Sequence, residues 1–228
     1  AAVDRVVEGF RWTAALLRTE GLARPDLLPY GIQAPILAAL YAEVPEFCVA
    51  QPQRLVAWFW LTTYWRTLFG RPKVRSVYEH LRETLRGMNV EWPQRKWRVY
   101  EPLPEKLSGF SARVKALGLL LAQRDPTGEA ARLLGALGLD AMPRLFPRPR
   151  EASAANAGNR VVTSPVDLLA LRQVLEGGGA PPDLLDRHLI PTGAAERLRG
   201  GDIDGFIRLR AVAIDAGSVV GWSSMAPM

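Results

Sequence analysis

The sequence predicts a mainly α protein: a helical bundle over residues 1–125, a smaller helical module over 126–216 with one or two short strands, and a flexible tail over 217–228. Three observations predict this class. Apolar residues recur at three- and four-residue steps through most of the chain. Proline, glycine and Ser/Asp punctuation falls at helix-length intervals. The best strand candidate is the short β-branched run Val161-Val162-Thr163.

Each element has its own signal. Val3, Val6, Val7, Phe10, Ala14 and Leu17 form an apolar stripe with Arg5, Glu8, Arg11 and Arg18 between them, and Gly21 ends this first helix. Residues 26–30 are a loop entering a second helix over 33–43, which Pro45 ends. Pro52 starts an aromatic helix over 53–69 carrying Trp58, Phe59, Trp60, Tyr64, Trp65 and Phe69. Aromatics around its whole circumference imply burial on several sides, at the centre of the core. Gly70 and Pro72 close it, and a Ser-capped helix spans 76–86. Pro93, Pro102 and Pro104 make 89–107 irregular, long enough for a binding loop. Helices follow over 111–123, 129–137 and 166–175. Gly177-Gly178-Gly179 and Pro181-Pro182 break the chain before helices over 183–189, 192–198 and 203–216, the last capped by Asp202. The small, polar, Pro-ended segment after 216 reads as frayed.

At 228 residues the chain can bury a core of its own, as one large domain or two small ones. Its single cysteine, Cys48, excludes an internal disulfide and a multi-cysteine zinc site, which suits a reducing cytoplasm; the residue reads as a small buried side chain. No apolar run reaches the ~20 residues of a membrane-spanning helix, so no membrane partner is expected. The absence of an initiator Met suggests processing or a cut N-terminus. Residues 66–115 carry 12 Lys/Arg against 5 Asp/Glu, a local balance of +7 in a chain of net charge +6. There Trp92, Trp97 and Tyr100 interleave with Arg95, Lys96 and Arg98. Such a stretch is either a solvated basic face over core tryptophans or a nucleic-acid surface that pairs phosphates and stacks bases.

The segment 140–165 carries the most specific pattern. Pro143-Arg144-Leu145-Phe146-Pro147 precedes Asn156-Ala157-Gly158-Asn159-Arg160, which leads through Val161-Val162-Thr163 to Ser164-Pro165. It resembles the C-terminal region of the GmrSD-type restriction proteins, in which a domain of unknown function 262 is joined to a domain of unknown function 1524 type His-Asn-His nuclease. That family reads Asp/Glu-His-Ile-Phe-Pro, then Asn-x-x-Asn-Arg-x-x-Leu-Ser. Leu28-Pro29-Tyr30, Trp58-Phe59-Trp60, Tyr64-Trp65-Arg66, His188-Leu189-Ile190-Pro191, Asp202 and Phe206-Ile207 with Arg210 resemble other elements of the family in the right order.

The resemblance implies a degenerate nuclease-like module. Arg144 stands where the family has its general-base histidine, and a guanidinium stays protonated at neutral pH. The chain has only His80 and His188, both outside the frame. His80 reads as exposed on a charged helix, and His188 as a packing or capping residue or, failing that, the base of an atypical site. The family's N-terminal nucleotide-hydrolysing domain has no counterpart, so the chain looks like the C-terminal portion of a longer protein or its stand-alone descendant. Such a domain, or a partner protein, is an expected partner.

The expected function is therefore a non-catalytic nucleic-acid-binding or assembly module of a restriction- or defence-type protein, with DNA as partner. Its contacts would be Arg144, Arg148, Arg150, Arg160, Asn156, Asn159, Arg95, Lys96 and Arg98. Asn156 and Asn159 either orient a phosphate or close the turn before the strand. The alternatives are a metal-dependent DNA endonuclease with an atypical site, and a helical protein-interaction domain using the aromatic helix. No phosphate loop or dinucleotide fingerprint is present, and no cofactor, metal ligand set or catalytic residue is assigned.

Overall fold

The computed structural model describes residues 2–64, 78–79, 81–82, 111–150, 152 and 154–223. They are mainly helical, as the periodicity predicts. The chain divides into two compact units: of the described residues, those within 2–20, 28–64, 78–79 and 81–82 belong to the first, and those within 21–27, 111–150, 152 and 154–223 to the second.

In the first unit α1 (Ala2–Thr19) packs against α2 (Gln33–Glu43). The buried face is Gly9, Thr13, Leu16 and Leu17, which shares only Leu17 with the stripe that dominates the sequence pattern. A Cβ on Gly9 would lie 2.4 Å from the Ala38 carbonyl oxygen, so the missing side chain is what lets the two backbones approach. Val3, Val6, Val7 and Phe10 are left exposed, Phe10 by 45%. Pro45 does end α2, but it also opens a short helix not expected from the sequence, α3 (Pro45–Ala50). Its fixed φ suits the first helical turn, where its missing N–H has no partner to lose. Cys48 is buried there, and burial pushes its thiol up to about 11.

The aromatic helix α4 (Pro52–Tyr64) buries three consecutive residues, Trp58, Phe59 and Trp60. Burial of neighbours that point in different directions makes it a core helix, so these three rings are spent inside the unit and are not on offer to a partner. The Trp60 indole N–H donates to Glu20 at 2.7 Å. Wholly buried Gln33 spends its amide on the Phe59 carbonyl and on the Thr62 and Thr63 hydroxyls, and its oxygen accepts from the Tyr30 N–H. These bonds answer the polarity that burial would otherwise penalise. Arg82 pairs with Glu43 at 2.8 Å, and Tyr78 donates to the same carboxylate.

The second unit contains α5 (Ala112–Arg124), α6 (Glu129–Leu137), α7 (Leu168–Glu176), α8 (Pro182–Arg187), α9 (Thr192–Arg199) and α10 (Ile203–Ser223). The Ser111 hydroxyl accepts from the Val114 N–H at the start of α5, and Asp202 accepts from the Gly205 N–H at the start of α10. Helix α10 continues to Ser223, so 217–223 are helical and not the frayed tail expected; no proline interrupts them.

Two apolar clusters share the segment between α6 and α7. One gathers Leu117, Leu121, Leu134, Met142, Val162 and Ile214, and the other Leu145, Phe146, Val161, Leu175, Phe206 and Ile207. Extended backbone points successive side chains to opposite sides, so Val162 enters the first cluster and Val161 the second. Each such aliphatic side chain is worth roughly 1.5–3 kcal/mol when fully buried. The short segment is thereby held on both faces.

Candidate nucleic-acid interface

The residues around the predicted strand form a truncated antiparallel ribbon. Leu145 N–H donates to the Asn159 carbonyl at 2.8 Å, Val161 N–H to Pro143 at 3.3 Å, and Thr163 N–H to Ala141 at 3.0 Å. One isolated bridge, Arg144 opposite Arg160, is the whole β-pairing among the described residues, so the expected strand at 161–163 does not form. The reason is in the partners. Pro143 has no N–H to return to Val161, and the Asn159 N–H is turned onto the Asn156 carbonyl in a single 3-10 turn over Ala157–Asn159. Each rung is half made, and the ladder stops.

The two asparagines build this corner. The Asn156 side chain accepts from the Gly158 N–H at 2.8 Å and caps the turn. Asn159 is wholly buried; its Oδ1 accepts from the Phe146 N–H, and its Nδ2 donates to the Phe146 and Ala154 carbonyls. Its polar groups are spent on backbone, which removes it from the candidate contacts and leaves the turn-closing reading. A Cβ on Gly158 would lie 2.0 Å from the Ile207 carbonyl oxygen, so the turn sits directly on the backbone of α10.

The arginines are placed differently. Arg144, Arg148 and Arg150 are exposed along one loop. Arg160 is half-buried beside Arg144, as residues directly opposite on a ribbon must be, and donates through Nη1 to the Met142 carbonyl at 2.7 Å. Burial, then the neighbouring Arg144 charge, depress its pKa. Arg172, not singled out from the sequence, adds a fifth guanidinium: it donates to the Leu145 carbonyl from Nε and Nη2 and lies 5.6 Å from the Phe146 ring centroid. Its position on α7 carries no local sign of that arrangement. Among the described residues none of these five arginines forms an ion pair. Arg95, Lys96 and Arg98 lie outside the described residues.

Behind the ribbon, Arg210 is 0% exposed. Its Nε donates to the His188 carbonyl at 2.8 Å, and its Nη1 to the Gly158 and Arg160 carbonyls at 2.8 and 2.6 Å. One cation thus ties α10, the 3-10 turn and the end of α8 together, and desolvation lowers its pKa to about 9. His188 stands where α8 ends. Leu189 adopts φ 51°, and the Leu189 and Ile190 N–H groups return to the Asp186 and Leu185 carbonyls, a helix stop usually built on glycine. The imidazole is 6% exposed; burial first, then Arg210 and Arg187, hold its pKa at about 4. It is therefore a packed, neutral histidine at neutral pH. His80 lies outside the described residues.

No group of three or more His, Cys, Asp or Glu side chains able to hold a metal occurs among the described residues. No described helix is long and apolar enough to cross a membrane. Comparison with family models, with curated proteins and with solved structures finds no match for this chain.

Proposed function

We propose that this chain is a non-catalytic nucleic-acid-binding or assembly module of a restriction- or defence-type protein, on a nuclease frame whose base position is occupied by Arg144. The observation that supports this reading most is the set of Arg144, Arg148, Arg150 and Arg160 on one ribbon and loop, with no carboxylate partner among the described residues. Phosphates accept bidentate bonds from guanidinium, and cations left unpaired by the protein are those free to displace counterions from a nucleic acid. Arg160 and Arg172 are partly engaged with backbone carbonyls and would anchor the exposed three.

The test is a gel-shift series at rising salt, run with a plasmid assay in Mg²⁺ and Mn²⁺. Arg144→Ala, Arg148→Ala and Arg150→Ala combined should flatten the plot of log K against log salt by about 0.9 for each duplex phosphate that is no longer neutralised. An unchanged slope in the triple variant refutes the assignment of these arginines to the phosphates. Nicking that disappears with EDTA would replace it with the atypical-endonuclease reading. A second reading has one observation in its favour: exposed Val3, Val6, Val7 and Phe10 on α1 suit a protein contact, and absence of any shift at low salt would favour it.

A further inference from the structure

The second unit contains a half-open cleft of about 280 Å³ that the backbone-binding reading does not use. Its apolar walls come from separate helices: Leu121 on α5, Leu133 on α6, and Leu171 and Val174 on α7. Its polar lining includes Thr163 and His188, 9% and 6% exposed. Neither the Thr163 hydroxyl nor the His188 imidazole has a hydrogen-bond partner among the described residues. Neither polar end is sealed away from solvent: both reach the open space of the cleft, where a ligand can meet them.

The charges around the cleft restrict what it can take. Arg187 is paired with Asp125 at 3.3 Å, and the Asp125 carboxylate also accepts from the Ala130 and Thr127 N–H groups and the Thr127 hydroxyl. Asp167 accepts from the Ser164 hydroxyl, and Glu129 is engaged by Arg132. An anion would meet three carboxylates here, and a cation would meet Arg187, with Arg210 bonded to the His188 carbonyl behind. A purely aliphatic ligand would leave both polar groups unsatisfied. We propose that the cleft binds an uncharged heteroaromatic ring of nucleobase size, its faces against the aliphatic walls and its edge hydrogen-bonded to Thr163 and His188. A neutral imidazole offers one donor and one acceptor, the complement of an amide-like ring edge. The low pKa of His188 keeps it in that form at neutral pH.

The same ring chemistry has two sources, a free nucleoside and an unstacked base in a strand. The second is within reach of the arginines, since Thr163 lies three residues along extended chain from Arg160, roughly 10 Å. The cleft assignment does not depend on backbone binding and is tested separately. The full chain labelled with ¹⁵N-histidine is titrated with adenosine, guanosine, cytidine and uridine, and with a single-stranded oligonucleotide of mixed sequence. The expected result is a saturable shift of the His188 ring nitrogens, with the other histidine as internal reference.

Movement with a nucleoside identifies the free ring as ligand, and movement with the oligonucleotide alone identifies a base in a strand; either supports the proposal. Thr163→Val should weaken the response about tenfold by removing one hydrogen bond from an otherwise unchanged wall. Val174→Trp at the half-exposed rim should abolish it by filling the space. A silent His188 in every titration overturns the proposal, as does a response that survives Val174→Trp. The arginine triple variant should keep the nucleoside response whatever happens to its salt-dependent DNA binding, so failure of one reading does not imitate failure of the other.

Discussion

Acidification should destabilise this protein through His188 by an amount the structure sets. The imidazole titrates at about 4 in the fold, against about 6.5 in an unfolded chain. Between those values the unfolded state binds the extra proton, so stability rises with pH. The contribution is fully present above about pH 6.5 and is lost as pH falls to about 4. The gap of roughly 2.5 units at 1.36 kcal/mol each is about 3 kcal/mol, with a slope near 1.4 kcal/mol per pH unit inside the window. His188 is 6% exposed, so solvent screening does not erase this. The charged groups around it are Arg210 and Arg187, which oppose protonation, and Asp125, whose own depressed pKa places its titration below the window. Urea denaturation of wild type and His188→Gln at intervals from pH 7.5 to about 4 isolates the effect. The change of slope, not the offset between the proteins, is the quantity of interest, because any packing defect of the variant is pH-independent. Parallel stability curves for the two proteins would refute the reasoning.

Three substitutions probe the ribbon and its support. Arg210→Lys leaves at least one of the three buried carbonyls unanswered and should cost about 1–3 kcal/mol, read as a fall in urea midpoint; a change below about 0.5 kcal/mol would show that the fork of bonds is not needed. Gly158→Ala places a methyl group 2.0 Å from the backbone oxygen of Ile207 and should lose about 3 kcal/mol or fail to fold, while Gly193→Ala, which meets nothing within 4 Å, should stay near wild type in the same thermal melt. Asn159→Asp exchanges a donor for an acceptor facing the Phe146 and Ala154 carbonyls and should cost about 3 kcal/mol at neutral pH, with early amide exchange at Phe146 as the local sign.

Much of the helical framework was readable from local chemistry. Asp202 and Ser111 announce helix starts, Pro52 opens the aromatic helix, and these signals need only the residues beside them. The short helix α3 was hidden because six residues give no measurable periodicity, and the same Pro45 that ends one helix begins the next. The site was readable in part. The Asn156–Asn159 turn is local, but the bonds from Asn159 to Phe146 join residues thirteen apart and follow from no spacing rule. Arg172 gave no signal at all, because a guanidinium on a helix looks the same whether it meets water or the carbonyl of Leu145.

The sequence by itself determined the helical class, most helix limits and the arginine-rich segment from Arg144 to Arg160, since periodicity, caps and residue identity are local properties. Only the tertiary structure decided which face of α1 is buried, because the stripe through Val3 and Phe10 is the more apolar but Gly9 permits the closer approach to Ala38. It also decided that 161–163 stays a half-paired ribbon, and that Arg210 is buried among carbonyls behind it. Those outcomes depend on what each segment meets in space, and pairing partners, closest approach and desolvation are properties of the assembled chain.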